Sequence, residues 1–216
     1  MSHRDPNNAR SDESGGTPDS GGLRFSEFPC LIGLSAKKRH GKDTLAALLC
    51  KVHGYRRIAF ADALYREVSD LYGVSVEFLQ NPDTKETPLP ELGGLSPRRA
   101  LQDHGMRRRG ESAEYWVRQV ADAIAASPED RWVVTDVRLP NEARWVQERG
   151  PLIRIHRPGL PPSGDTHVSE TALDDWPFFC QVLNEERTPE RMLADLDLKL
   201  AAVTDRAWLD SAAARP

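Results

Sequence analysis

Short apolar runs recur along the chain, each followed by a polar turn and then by a stretch whose apolar residues return at helical spacing. The first run, residues 30–34, leads through a basic loop into a segment where Leu45, Ala46, Leu48 and Leu49 share one helical face. A second run over 55–60 ends on Ile58, Ala59 and Phe60, predicting a buried strand, and a helix follows from about 63 to 72. A connection rich in Pro, Gly and Thr over 81–95 leads into predicted helices at 97–106 and 113–126. Residues 132–135, 152–155 and 179–183 predict three further strands, with helices over 143–149 and 189–203, the latter through Met192, Leu193, Leu196 and Leu200. The segment 157–165 is rich in Pro and Gly with few apolar anchors, which predicts a mobile flap. Strands alternating with helices predict an α/β domain with a five-stranded parallel sheet covered on both faces.

Composition sets the edges of that domain. The chain has 216 residues, enough for one domain of ordinary size. Residues 1–28 read as a disordered tail, because the first 22 positions carry scarcely an apolar side chain and cannot offset their ordering entropy. Residues 204–216 read as a second, loosely held tail with Trp208 and Leu209 as its docking points, which leaves 29–203 as the domain. No run has the length to span a bilayer and no signal-peptide core is present, so a soluble, cytoplasmic protein without a membrane partner is expected. The net charge of -4 and pI of 5.9 argue against a general electrostatic grip on nucleic acid. Cys30, Cys50 and Cys180 are too scattered for a zinc site or a disulfide framework and read as reduced thiols.

The chemistry concentrates where the first strand ends. In Ala36, Lys37, Lys38, Arg39, His40, Gly41 and Lys42 the backbone can curl so that successive N–H groups point at a phosphate, with the Lys42 charge over the β and γ oxygens. Thr44 can then ligate magnesium. Two positions depart from the strict pattern: Ala36 stands where a glycine is usual, and Asp43 separates Lys42 from Thr44. Asp43 either orients Lys42 or favours the helix N-terminus electrostatically. In open parallel sheets ligands sit beyond the carboxyl ends of the strands. The other residues at such positions are Asp62, Asp136 with Arg138, Arg157 and Asn184, a polar and charged set suited to a nucleotide.

These residues resemble the phage-type deoxynucleoside monophosphate kinases, a branch of the P-loop monophosphate kinases. The resemblance rests on residues 33–44, 60–64, 99–102 with Trp116, 135–143, and 167–170 with Asn184, and it spans about 31–200. Its most specific part is the stretch Asp136, Val137, Arg138, Leu139, Pro140, Asn141, Glu142. The chain departs from the usual look at Tyr65, where lysine is common, and at 106–109, where a threonine and a glutamate are frequent.

The resemblance implies a P-loop three-layer sandwich with a helical acceptor-binding insertion at about 73–126 and a small lid at 157–170. It implies transfer of the γ-phosphoryl of ATP, with Mg2+, to a deoxynucleoside monophosphate (dNMP) in the cytoplasm, the host's if the source is viral. Lys42, Arg138 and Arg157 become the catalytic candidates, with Thr44 and, through water, Asp136 on the metal. Arg138 would span donor and acceptor phosphates or instead pair with Glu142. Acceptor candidates are Asp62, Arg99, Gln102, Arg108, Arg109, Trp116, His167 and Glu170. For Arg99 and Gln102 the alternative is a solvated helix face, for Arg108 and Arg109 a solvated charge run, for Trp116 the core. His167, Ser169 and Glu170 would anchor the flap or bind the acceptor sugar. Oligomeric state stays open, a homodimer included. Two rivals remain: a kinase of a hydroxyl acceptor, like dephospho-coenzyme A kinase, with Asp62 as its base, and a nucleotide-binding module without catalysis.

Overall fold

The computed structural model describes residues 28–161, 171–185 and 188–204. Five strands, β1 (Leu31–Ala36), β2 (Tyr55–Ile58), β3 (Arg131–Val134), β4 (Leu152–His156) and β5 (Cys180–Leu183), form one sheet in the order β2-β3-β1-β4-β5. Every pairing is parallel. The helices are α1 (Lys42–His53), α2 (Phe60–Tyr72), α3 (Val76–Gln80), α4 (Pro97–Glu111), α5 (Tyr115–Ala125), α6 (Pro140–Gln147) and α7 (Pro189–Thr204).

Alternation along the strands builds two cores. Ile32 and Leu34 of β1, with Val133, Ile153 and Ile155, face Leu45 and Leu49 of α1 and Leu196 of α7. Leu31, Val134 and Leu152 face the other way, against Trp116 and Val120 of α5, Ala143 and Val146 of α6, and Phe60. Each sheet face is therefore covered by helices, which is the expected three-layer sandwich. Gly33 sets how closely α6 approaches: a Cβ there would lie 2.5 Å from Val146 Cγ1.

A third, smaller core lies beneath the insertion between α2 and β3. Val68, Leu79, Leu92, Ala100 and Leu101 make it, so α3 and α4 stand on α2 rather than on the sheet. The sequence did not predict α3, whose five residues are too few to carry a helical period.

Several boundaries differ from those expected. Phe60 does not extend β2 but opens α2, because the Asp136 carboxylate accepts hydrogen bonds from the amides of Phe60 and Ala61 at 2.8 and 2.9 Å. Phe28, placed in the tail from sequence, is buried, with its ring 4.1 Å from that of His53. Residues 1–27 and 205–216, the bulk of both expected tails, and 162–170 of the expected lid lie outside the described residues. No described helix is long and apolar enough to cross a membrane.

Candidate active site

The chain leaves β1 at Ala36, turns through Lys37–His40 with the His40 amide bonded to the Lys37 carbonyl (3.3 Å), and enters α1 at Lys42. Arg39 (φ 69°) and Gly41 (φ 101°) both take the left-handed conformation, and no side chain caps the first turn of α1. That turn thus keeps amide donors and the positive end of the helix dipole for an anion. Gly41 is required twice over, since a Cβ would also lie 2.4 Å from Asn184 Nδ2. Gly41→Ala should lower unfolding stability by roughly 1–3 kcal/mol in urea melts.

The loop floors a cleft of about 580 Å3, which Lys85, Arg98, Arg138, Arg157 and Asn184 close from the sides. Cations dominate its walls. Burial and the neighbouring Arg98 and Lys38 push the Lys85 ammonium below the usual lysine range. Lys42 Nζ rests on the carboxylate of exposed Asp43.

A second cleft of about 500 Å3 opens between α2, α4 and the end of β3. Its lining includes Asp62, Tyr65, Gln102, Arg109, Trp116, Thr135, Asp136 and Glu142, and it shares Lys42 and Arg138 with the first. The two clefts therefore meet at two cations. Burial raises the Asp136 carboxyl, against the two amide hydrogen bonds that lower it. Glu142 is also buried; its Oε2 accepts from the amides of Arg138 and Leu139 at 2.9 and 3.0 Å, capping α6 and fixing the backbone from which the Arg138 side chain departs.

Asp62 is engaged in structure: it caps α2 by accepting from the Ala59 amide (2.8 Å) and pairs with Arg57 at 2.8 and 2.9 Å. Trp116 borders the second cleft yet is only 2% exposed, with Nε1 bonded to the Gly105 carbonyl. Arg109 borders it with a guanidinium nitrogen 3.8 Å from Glu142. Arg157 faces the first cleft.

Arg99 and Arg108 are not brought to either cleft. Arg99 points outward to Asp103 at 2.8 Å, and Arg108 binds Glu67 and Glu111 and lies over the Tyr115 ring. His167 and Glu170 lie outside the described residues. Two cations that line the first cleft, Lys85 and Arg98, were missed from sequence. Arg98 had a usable signal, because it stands four residues before Gln102 and so shares its helix face. Lys85, in a connection without periodicity, had none.

A loop at the carboxyl edge of a parallel sheet that leads into an uncapped helix start, between strands whose connections run in opposite directions, defines a P-loop α/β fold. No family model matches the chain. Over 184 residues it is 32% identical to a protein of Acanthamoeba polyphaga mimivirus named "Putative deoxynucleotide monophosphate kinase", covering 77% of this chain and 93% of that one. The chain belongs to the deoxynucleotide monophosphate kinase family and is a nucleotide kinase. Among solved structures it resembles shikimate kinase from Aquifex aeolicus vf5 (TM-score 0.48, 13% identity, 82% of this chain and 99% of that one). It also resembles TT1252 from Thermus thermophilus (TM-score 0.48, 20% identity, 81% and 98%).

Proposed function

We propose that the protein transfers the γ-phosphoryl group of ATP to a deoxynucleoside monophosphate, giving the diphosphate and ADP. The observation that carries this reading is the meeting of two clefts at Lys42 and Arg138. A phosphate donor in the first and a phosphate acceptor in the second would present their reacting ends to the same two cations. An acceptor phosphate oxygen is already an anionic nucleophile, so no general base is needed; the task is to align two repelling anions and to screen the moving charge. The bond from phosphorus to the β–γ bridging oxygen breaks as the bond to the acceptor oxygen forms, and the charge left on ADP stays beneath the loop amides and Lys42.

The remaining roles follow from position. Arg138, its backbone held by Glu142, bridges the two phosphates, and Arg157 closes the donor side. Gln102 and Arg109 face the acceptor, and Trp116 walls its pocket. Among the described residues no group of three or more His, Cys, Asp or Glu could hold a metal alone. That fits magnesium, which binds through one or two protein oxygens and completes its shell with phosphates and water. Thr44 would hold it directly and Asp136 through water. Magnesium, when bound, screens the β and γ oxygens.

The test is to incubate the protein with ATP, magnesium and a panel of ribo- and deoxynucleoside monophosphates, separating the products by chromatography. A new deoxynucleoside diphosphate, formed in step with ADP, is expected. ATP binding without transfer to any member would sink the reading. Asp62 gives a second check. A hydroxyl-acceptor kinase with Asp62 as base would lose most turnover in Asp62→Asn, whereas a cap and ion-pair role predicts a loss below about tenfold in kcat.

A further inference from the structure

We propose that His40 is a positioning residue that ties the phosphate loop to the segment carrying Arg157, so that the loop and this arginine are presented to the donor nucleotide as one unit. The inference rests on the reading of the first cleft as the ATP site. By sequence His40 is one more loop position between Lys38 and Lys42. In the structure its ring is nearly buried, at 9% exposure, and Nδ1 accepts a hydrogen bond from the backbone amide of Arg157 at 3.0 Å. The ring's acceptor is thus spent on the chain at the end of β4. The backbone of His40 is held as well: its carbonyl accepts from Asn184 Nδ2 at 3.0 Å, and the Asn184 amide donates to His156 at 2.8 Å. His156 in turn packs its ring 5.3 Å from that of His40.

These contacts join three strand ends at His40, whose ring reaches the chain after β4 and whose carbonyl holds Asn184 after β5. They also answer a local problem of the loop. Arg39, just before His40, takes a left-handed conformation that a residue with a Cβ adopts at a cost. Such a backbone persists when its surroundings over-determine it, and the buried ring next door does so.

The hydrogen bond requires an unprotonated Nδ1, hence a neutral ring with its proton on Nε2. The environment favours that form: burial first, then His156, Arg154, Lys37 and Arg157, all hold the ring below the ordinary histidine range. Two of these cations, Lys37 and Arg154, are both paired with Asp174.

The experiment compares the full-length wild type with His40→Leu, which keeps bulk and loses the acceptor, and His40→Asn, whose amide oxygen stands two bonds from Cβ as Nδ1 does. Affinity for ATP with magnesium is measured by calorimetry, and exchange of the Arg157 amide is followed by hydrogen–deuterium exchange. His40→Leu is expected to weaken ATP binding about tenfold and to speed Arg157 exchange by a similar factor, and His40→Asn to recover most of both. Equal impairment in the two variants would make His40 a packing residue and overturn the proposal. Unchanged Arg157 exchange in a folded Leu variant would overturn it too. If the Leu variant fails to fold, the Asn variant decides by whether its Arg157 amide keeps wild-type protection. A wild type that binds no ATP would instead sink the proposed function, since amide exchange still reads the tie.

Discussion

Replacing Lys42 by Ala is expected to lower turnover on the order of 10² to 10³-fold, the loss of one preorganised transition-state donor. Lys42 combines two properties that no other loop cation has. It begins α1, so its position is fixed by the helix, and it borders both clefts. Its ammonium rests on Asp43, whose side chain is 81% exposed; such a surface pair contributes little and is readily exchanged for a phosphate. Removing the side chain should therefore leave thermal stability close to wild type while removing charge where the migrating phosphoryl carries most of it. Initial rates at saturating ATP and acceptor would show this as a fall in kcat, and Lys42→Arg, which restores charge with a different shape, should recover only part of it. A Lys42→Ala enzyme that kept nearly full turnover would remove the phosphate loop from the chemistry.

The position of Lys42 was legible in the sequence because it is set locally: an apolar strand, a loop of fixed length and a helix suffice to place it. The same holds for the sheet, whose strands announce themselves as short apolar runs. What escaped was set by tertiary contact. Phe60 continues an apolar run and reads as strand, yet Asp136, 76 residues further on, draws its amide into a helix start. Asp62 looks like a free carboxylate at a strand end, and its partners are the Ala59 amide and Arg57. Arg99 and Arg98 are neighbours in sequence, but α4 turns the first toward Asp103 and the second into the first cleft. From sequence, Glu142 reads as a partner of the Arg138 side chain. It acts instead on the Arg138 backbone, a contact that needs the helix end to be known.

Glu142 carries the second large expectation, a stability that falls as pH rises through the weakly acidic range and a variant in which most of that fall is gone. The residue is 3% exposed, and burial, with Asp136 beside it, lifts its carboxyl to about 7, against the opposing hydrogen bonds from the Arg138 and Leu139 amides and the attraction of Arg109. In the unfolded chain it titrates near its ordinary value of 4.5. Between those two values the folded protein holds a proton that the unfolded chain has released, so raising the pH favours unfolding. The full difference, reached above about pH 7, is on the order of 3 kcal/mol. Glu142→Gln keeps an oxygen for both amides and cannot ionise, so it should flatten the curve and be more stable than wild type at pH 8, less whatever attraction to Arg109 it gives up. Asp136, raised in the same direction, leaves some slope in both proteins. Urea unfolding at pH 5, 6, 7 and 8 measures the difference directly. Parallel curves for the two proteins would mean that Glu142 is ionised throughout, held so by Arg109 and the cap, and that the peptide at Arg138 is fixed by a charge rather than by a neutral acid.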